Sequence, residues 1–587
     1  MSTLYPLIVG REAMLATEHY LSAAAGARIF ARGGNAIDAA VAAALVEGVV
    51  NPHMNTIGGE APVLIRVASA QRVVAINGNM MAPARATIAH YRSLGLELIP
   101  GEGLLAAGVP ATLGALACAL ENFGTKPLAE IAEPALELCQ DGFAMHPGLA
   151  GDSEAPAENS ALGLSSIAAN AEQFRARWPS TARVYMPEGR PPHSGEIVKN
   201  PALANFFRRL LDAEAGARNL GREAAIRSAV ECFYRGDIAR EIVAHSEAHG
   251  GVLGLEDLAN FDTRIEEPVS RGYRGATVFK CGPWSQGPVF LQQLALLEGF
   301  ELAAMGHNSA HYLHTLVEAA KLAFADREAY YADPEFVDVP LDALLSEQYA
   351  ALRRRLIDAA RASMELRAGD PRTMRAERSA PLQARAWGAG TTHVDAVDRQ
   401  GNLIAITPSG GWIRSSPVID SLGFPLGTRM QTFYLDERHP NALMPRKRPR
   451  TTLTPSLAAT RDGRWIAFGT QGGDQQDQWT LQFFLNLMEF GMNVQEAIEA
   501  PRYSCLHFPS SFYPHDAHPG LLRLESRIDE GIRAALSERG HKVEVRPGWC
   551  DGNVLAVVLD TSRGALIGGA DPRGQAAALM PAQAIGW

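Results

Sequence analysis

Gly390-Thr391-Thr392-His393-Val394-Asp395-Ala396-Val397 stands two-thirds of the way along the chain, where a charged, helix-like stretch ending in Ala389 gives way to strand-like alternation from Val394 to Val397. A threonine hydroxyl is a weak nucleophile until a base lies beside it. The simplest such base is the residue's own α-amino group, freed by cutting the peptide bond in front of it. A free α-amine has a pKa of about 7.7–8.0, near the working pH that suits a general base. Glycine ahead of the threonine removes a Cβ and gives the backbone room to distort for the cut. Taken alone, a Gly-Thr pair is an ordinary turn entering a strand, so the chemical reading must be carried by the rest of the chain.

The surrounding texture is that of a folded α/β protein. Its 587 residues exceed one typical core and predict two to four domains or one large intimate fold. Apolar residues make up 47% and charged residues 20%, as in ordinary globular proteins, and a net charge of −10 without basic runs argues against nucleic acid as a partner. Arg11 and Glu12 interrupt what would be the apolar core of a secretory leader, and Ala36 to Val50 is too short to span a bilayer. Six scattered cysteines without CxxC spacing read as reduced, mostly buried thiols. The expectation is a cytoplasmic protein with no membrane partner.

Before Thr391 the sequence reads as helix-rich. Ala39 to Val46 follows the turn Gly33-Gly34-Asn35, and Leu113 to Phe123 and Leu128 to Gln140 are amphipathic. Tyr312 to Tyr331 is the clearest helix, capped by Asn308-Ser309. Polar, proline-rich breaks at Glu154 to Ser160 and Pro179 to Ser194 predict surface loops. After Thr391 three hairpin patterns appear: Val394–Val397 with Leu403–Thr407, Ser456–Thr460 with Trp465–Phe468, and Val554–Leu559 with Ala565–Ile567. Leu481 to Phe490 and Val494 to Ala500 read as helices between them. Helices covering sheets predict a layered architecture.

Six blocks in order then resemble the γ-glutamyltransferase family of N-terminal-nucleophile hydrolases. They are Arg32-Gly33-Gly34-Asn35-Ala36-Ile37-Asp38-Ala39-Ala40 leading to Asn51-Pro52 and Ile57-Gly58-Gly59; Asp326-Arg327 and Asp333-Pro334; Thr391-Thr392-His393; Arg448-Pro449 before Thr451-Thr452 and Pro455; Gly472-Gly473; and Asp571-Pro572-Arg573. The resemblance runs from about residue 12 to the C-terminus. It implies a four-layer αββα sandwich made as one precursor that cuts itself before the threonine. Residues 1–390 would form the large subunit and 391–587 the small one carrying the nucleophile. It also implies roles: Thr391 as nucleophile with its freed amine as base, Thr392 beside it, Ser409 as a second hydroxyl touching Thr391, and the amides of Gly472 and Gly473 holding the oxyanion. Paired glycines suit that task, because two N–H groups can turn toward one oxygen with no side chain in the way.

The departures from the family pattern concern substrate recognition. Asn79 stands where glutamyl-cleaving members place an arginine two residues ahead of Met81-Ala82-Pro83. Thr432 replaces an acidic residue, Gly411 an asparagine and Arg429 a glutamine; Thr451 and Thr452 replace paired serines, and Phe433 to Arg448 is a shortened lid. The expected substrate therefore lacks a γ-glutamyl head group. Pro408-Ser409-Gly410-Gly411-Trp412 and the run from Gly472 to Trp479 resemble the branch that includes oxamate amidohydrolase. Arg429 or Arg450 would fork onto a small substrate's carboxylate, with Asn79, Thr451 and Thr452 lining the same site. Three functions stay open: an amidohydrolase of small carboxylated amides; a γ-glutamyl transferase or hydrolase, or a glutaryl or β-lactam-type acylase; and a non-catalytic binding protein. The partners expected are the amide substrate and the two subunits of one precursor, with a homodimer left open.

Plainer readings stand beside these. His393 reads as a packed strand residue, Arg429 equally as a salt-bridge partner, and Asp474 and Asp477 as caps of the helix starting near Trp479. His245 and His249 lie four apart but lack the HExxH glutamate and precede Gly250-Gly251, which predicts a solvated surface and no metal. Neither GxSxG nor a Walker A motif is present, and no cofactor is expected.

Overall fold

The computed structural model describes residues 3–152, 165–380, 390–573 and 582–587. Two seven-stranded sheets, antiparallel at every pairing, form the frame. One runs in the order Gln583–Gly586, Ala13–Thr17, Val394–Asp398, Leu403–Ile406, Val63–Val67, Arg72–Asn77 and Arg264–Glu266. The other runs Ile8–Gly10, Ala565–Ala570, Leu555–Asp560, Arg464–Gly469, Ser456–Thr460, Ala276–Lys280 and Val269–Tyr273. Both sheets combine strands from before and after residue 390, so the two parts of the chain build one interwoven body.

Side-chain alternation along these strands fixes the layers. Val397, Leu403, Ala405, Leu457, Ala467, Leu555 and Val557 point into one apolar core between the sheets. Their neighbours Val394, Ala396, Ile404 and Ile406 face a second core under the helices Ala36–Val50 and Thr112–Phe123. Ala458, Ile466, Phe468, Ala556 and Val558 face a third, under Gly287–Leu297, Ala310–Tyr330 and Gln476–Met488. Helix, sheet, sheet, helix is the αββα sandwich, each face of each sheet burying one set of alternate residues.

The three hairpins form as the pattern predicts, and so do the helices, with ends shifted by a few residues. Asn35 caps Ala36–Val50 in a reciprocal box with Asp38. Strands Ala13–Thr17, Val63–Val67 and Arg72–Asn77, unread in the helix-rich first part, are buried on nearly every residue. Strands covered on both faces lose the polar alternation that would mark them. Pro179 opens the short helix Pro179–Tyr185 instead of a loop, because proline at a helix's first position removes only an N–H with no partner there. The expected loop at 154–160 lies outside the described residues, as does the helix-like stretch from 381 to 389; just before it Arg375–Ala380 is a strand. All six cysteines are free, three of them buried. No helix among the described residues is long and apolar enough to cross a membrane.

Candidate active site

The hairpin of Val394–Asp398 with Leu403–Ile406 pairs Val394 with Ile406. Continued outward by three residues, that register sets Thr391 opposite Ser409, and the two bridge there. Both are fully buried, with Thr391 Oγ1 and Ser409 Oγ 3.2 Å apart. Ser409 is fixed by two backbone bonds, its N–H donating to Glu60 O at 2.9 Å and its carbonyl accepting from Glu60 N–H at 2.8 Å. Ahead of Thr391, a Cβ on Gly390 would lie 2.7 Å from His53 O and 3.1 Å from Met54 Cα. Glycine is required there by that close approach as well as by any need to distort. The Gly390 carbonyl accepts from Ser409 Oγ at 2.6 Å and from Trp412 Nε1 at 2.7 Å. Thr392 donates its N–H to Pro408 O at 3.0 Å, while its buried hydroxyl has no partner.

Gly472 and Gly473 follow strand Arg464–Gly469 with φ of +120° and +59°, values that favour glycine. Neither N–H donates to an acceptor among the described residues. A Cβ on Gly473 would come 3.0 Å from the Phe512 ring, and that ring lies 6.1 Å from Trp412. The Arg429 guanidinium sits against both rings, 5.0 Å from the centroid of Phe512 and 5.6 Å from that of Trp412. Its Nε donates to Glu60 Oε1 at 2.7 Å, and its Nη2 to Thr451 Oγ1 at 2.8 Å and Thr452 Oγ1 at 3.4 Å. Thr451 in turn donates to the same Glu60 oxygen at 2.7 Å. Arg429 Nη1 is buried without a partner. Arg429, Thr451 and Thr452 are thus brought together beside the Thr391–Ser409 pair, and Glu60 balances the arginine's charge.

Other residues singled out from sequence have different neighbours. Arg450 donates to Arg327 O at 3.0 Å and Glu328 Oε1 at 2.7 Å, which commits its guanidinium to a buried ionic cluster. Burial opposes ionisation of Glu328, but Arg450 and Arg327 hold it well below the ordinary carboxylate range. The Asn79 amide donates to Pro449 O at 2.5 Å and ties two distant segments together. Thr432 donates to Arg429 O at 3.0 Å, closing the short turn Arg429–Thr432.

The expectation that Asp474 and Asp477 cap a helix is corrected. Asp474 is ion-paired with Arg327 and accepts from Ser511, and Asp477 pairs with Lys280 at 2.9 Å. Carboxylates this deeply buried need a cation or several donors, and Gln476–Met488 begins after Gln475 with no side-chain cap. His393 is a packed strand residue, its Nδ1 2.9 Å from Thr407 Oγ1 and its Nε2 2.9 Å from Asp395 Oδ1. His249 is exposed and bonds the His245 carbonyl at the end of Asp237–Ala248, a helix with one buried face, while His245 is half-buried, so the expected solvated surface holds for His249 alone. Among the described residues only His314, Glu318 and His541 approach metal-ligand proximity. Glu318 there is already paired with Lys321 at 2.6 Å and Arg367 at 3.2 Å, so its charge is balanced.

Behind Thr391 lies a buried polar group that sequence reasoning missed. Burial pushes Glu47 up to about 8 and Glu18 well above the ordinary carboxylate range, and holds His19 and His53 well below the ordinary imidazole range. Asn51 joins Glu47 Oε2, at 2.6 Å, to His146 Nε2, at 2.9 Å. Glu60 was also missed, although it directly follows Ile57-Gly58-Gly59. Nothing in the sequence marks Phe512.

Two antiparallel sheets between helices, with a buried threonine leading into a central strand and a serine hydroxyl across from it, define an N-terminal-nucleophile hydrolase. Residues 22–580 match the gamma-glutamyltranspeptidase family, and the chain belongs to it. It is 32% identical over 576 residues to the glutathione hydrolase-like YwrD proenzyme of Bacillus subtilis, covering 97% of this chain and 99% of that one. It is 29% identical over 584 residues to the oxamate amidohydrolase proenzyme of Klebsiella pneumoniae, covering 97% and 98%. Among solved structures, LmbA2991HD superposes with a TM-score of 0.91 at 43% identity over 100% of both chains. The cephalosporin acylase from Bacillus halodurans gives 0.81 at 28% identity over 100% of this chain and 98% of that one. The protein is an enzyme, an amidohydrolase or acyltransferase of this family.

Proposed function

We propose that the chain matures by cutting Gly390–Thr391 into pieces 1–390 and 391–587, and that Thr391 then hydrolyses a small amide bearing a carboxylate, with oxamate the leading candidate. Thr391 Oγ1 attacks the amide carbon while the freed α-amine takes its proton. The N–H groups of Gly472 and Gly473 hold the oxyanion. Ammonia leaves with the proton from the α-ammonium, and water cleaves the ester to release the acid. The observation that carries the substrate class is Arg429: a buried guanidinium beside Ser409 with one terminal nitrogen unpaired, a donor suited to a carboxylate. The relatives' designation as proenzymes supports the self-cleavage.

Glutamyl recognition is disfavoured, because the Asn79 amide nitrogen and the Thr432 hydroxyl are engaged by backbone carbonyls. A second reading, an acylase for neutral acyl groups, draws on the Glu60–Arg429 pair, whose charges already balance. An amide panel separates them. Oxamate should release ammonia faster than an uncharged amide of equal length, and γ-glutamyl anilide should be a poor substrate. Equal rates on charged and uncharged amides would favour the acylase, and brisk anilide cleavage would overturn the pocket assignment.

A further inference from the structure

Resting on that reading of self-cleavage, we infer that Trp412 is a donor for maturation: its indole N–H, with the Ser409 hydroxyl, holds the oxyanion that forms on Gly390 when the chain cuts itself. Turnover of substrate uses the separate Gly472–Gly473 amides.

The Gly390 oxygen accepts from two side chains, Ser409 Oγ at 2.6 Å and Trp412 Nε1 at 2.7 Å. Both donors are buried, Trp412 at 1% exposure and Ser409 at 0%. Thr391 Oγ1 is in hydrogen-bond reach of the same serine. A nucleophile on one side of a carbonyl and two fixed donors on its oxygen make an oxyanion hole, here built around the chain's own peptide bond. The donors are preorganised. Ser409 is locked to Glu60 through its backbone, and the Trp412 ring is backed by Phe512 and Arg429. Trp412 Nε1 also donates to Met54 O at 2.8 Å. As negative charge grows on Gly390 O, that acceptor becomes the stronger of the two, because hydrogen bonds to ionised oxygen are about twice as strong.

The step balances within the chain. Thr391 Oγ1 bonds to the Gly390 carbon, and the C–N bond to Thr391 breaks. The hydroxyl proton ends on the departing nitrogen, which becomes the α-amine. The resulting ester is cleaved by water, leaving a carboxylate on Gly390 and restoring the hydroxyl. Before the cut the Thr391 nitrogen is an amide and no base, so holding the oxyanion is the main help the site can give.

Trp412→Phe keeps an aromatic ring and removes the N–H. Appearance of the 391–587 piece is followed with time, and turnover is measured per cut chain. Self-cleavage should slow by about 100-fold or more, the effect of one lost oxyanion donor, and by far more than turnover per cut chain. Equal slowing of both, or self-cleavage at the wild-type rate, would overturn the role. A crystal structure of the uncut Thr391→Ala chain gives a test that does not depend on the tryptophan variant folding. Gly390 O should lie within hydrogen-bond reach of both Trp412 Nε1 and Ser409 Oγ, and a carbonyl turned away from Trp412 would overturn the inference. If the wild type itself never cuts, the reading of the function fails instead.

Discussion

Arg429→Gln tests the substrate assignment, but its effect has two parts. Glu60 is fully buried, and its Oε1 accepts from Arg429 Nε at 2.7 Å and Thr451 Oγ1 at 2.7 Å, its Oε2 from Met80 N–H at 3.1 Å. Removing the arginine leaves a buried carboxylate without its cation, which costs about 3–5 kcal/mol of stability. Adding Glu60→Gln replaces both charges by amides and should restore most of that loss. What the double variant still lacks is a charge-assisted bond to the substrate carboxylate, about 1.5–3 kcal/mol, or roughly 10- to 150-fold in kcat/KM. The assay is ammonia release from oxamate and from an uncharged amide of the same length, with thermal melts of wild type, single and double variants. The double variant should lose that factor on oxamate and little on the uncharged amide. Wild-type kcat/KM on oxamate would remove Arg429 from substrate recognition, and equal losses on both amides would show a distorted site.

Two further outcomes are expected. A Cβ on Gly472 would fall 2.1 Å from the Trp479 ring, so Gly472→Ala must move the peptide proposed to present the oxyanion donors. A shift of about 1 Å typically costs about 100-fold, so turnover should fall by that order while the small piece still appears; unchanged turnover would remove this glycine pair from the site. Glu47 titrates near 8 in the fold, chiefly through burial, and near its ordinary value when unfolded. Its neutral form therefore supports the fold at low pH, and that support is lost as pH rises from the ordinary carboxylate range through about 8. Glu47→Gln should melt higher than wild type at pH 8, with the difference closing at acidic pH. A difference independent of pH would place the effect elsewhere.

The parts of this protein that obey local rules were legible in its sequence. Alternation named the hairpin that sets Thr391 opposite Ser409, and the turn Gly33-Gly34-Asn35 and periodic leucines named the helices around it. Strands such as Val63–Val67 escaped because burial on both faces erases alternation. The partners of buried charge escaped for another reason. Glu60 meets Arg429 across 369 residues of sequence, and Asp474 meets Arg327 across 147, and no local spacing records such pairs. Arg450 shows the cost of reading charge alone: an arginine next to the Thr451-Thr452 pair proves to be held by Glu328.

The proposed self-cleavage of Gly390–Thr391 underlies both maturation and turnover, and one measurement addresses it directly. Intact-mass analysis and N-terminal sequencing of the purified wild type should find two pieces, the smaller covering residues 391–587, about one-third of the chain, and beginning Thr-Thr-His. The Thr391→Ala chain should remain whole and inactive, since one oxygen performs both attacks. A wild-type chain that stays intact yet turns over substrate at full rate, or an active Thr391→Ala chain, would contradict the account.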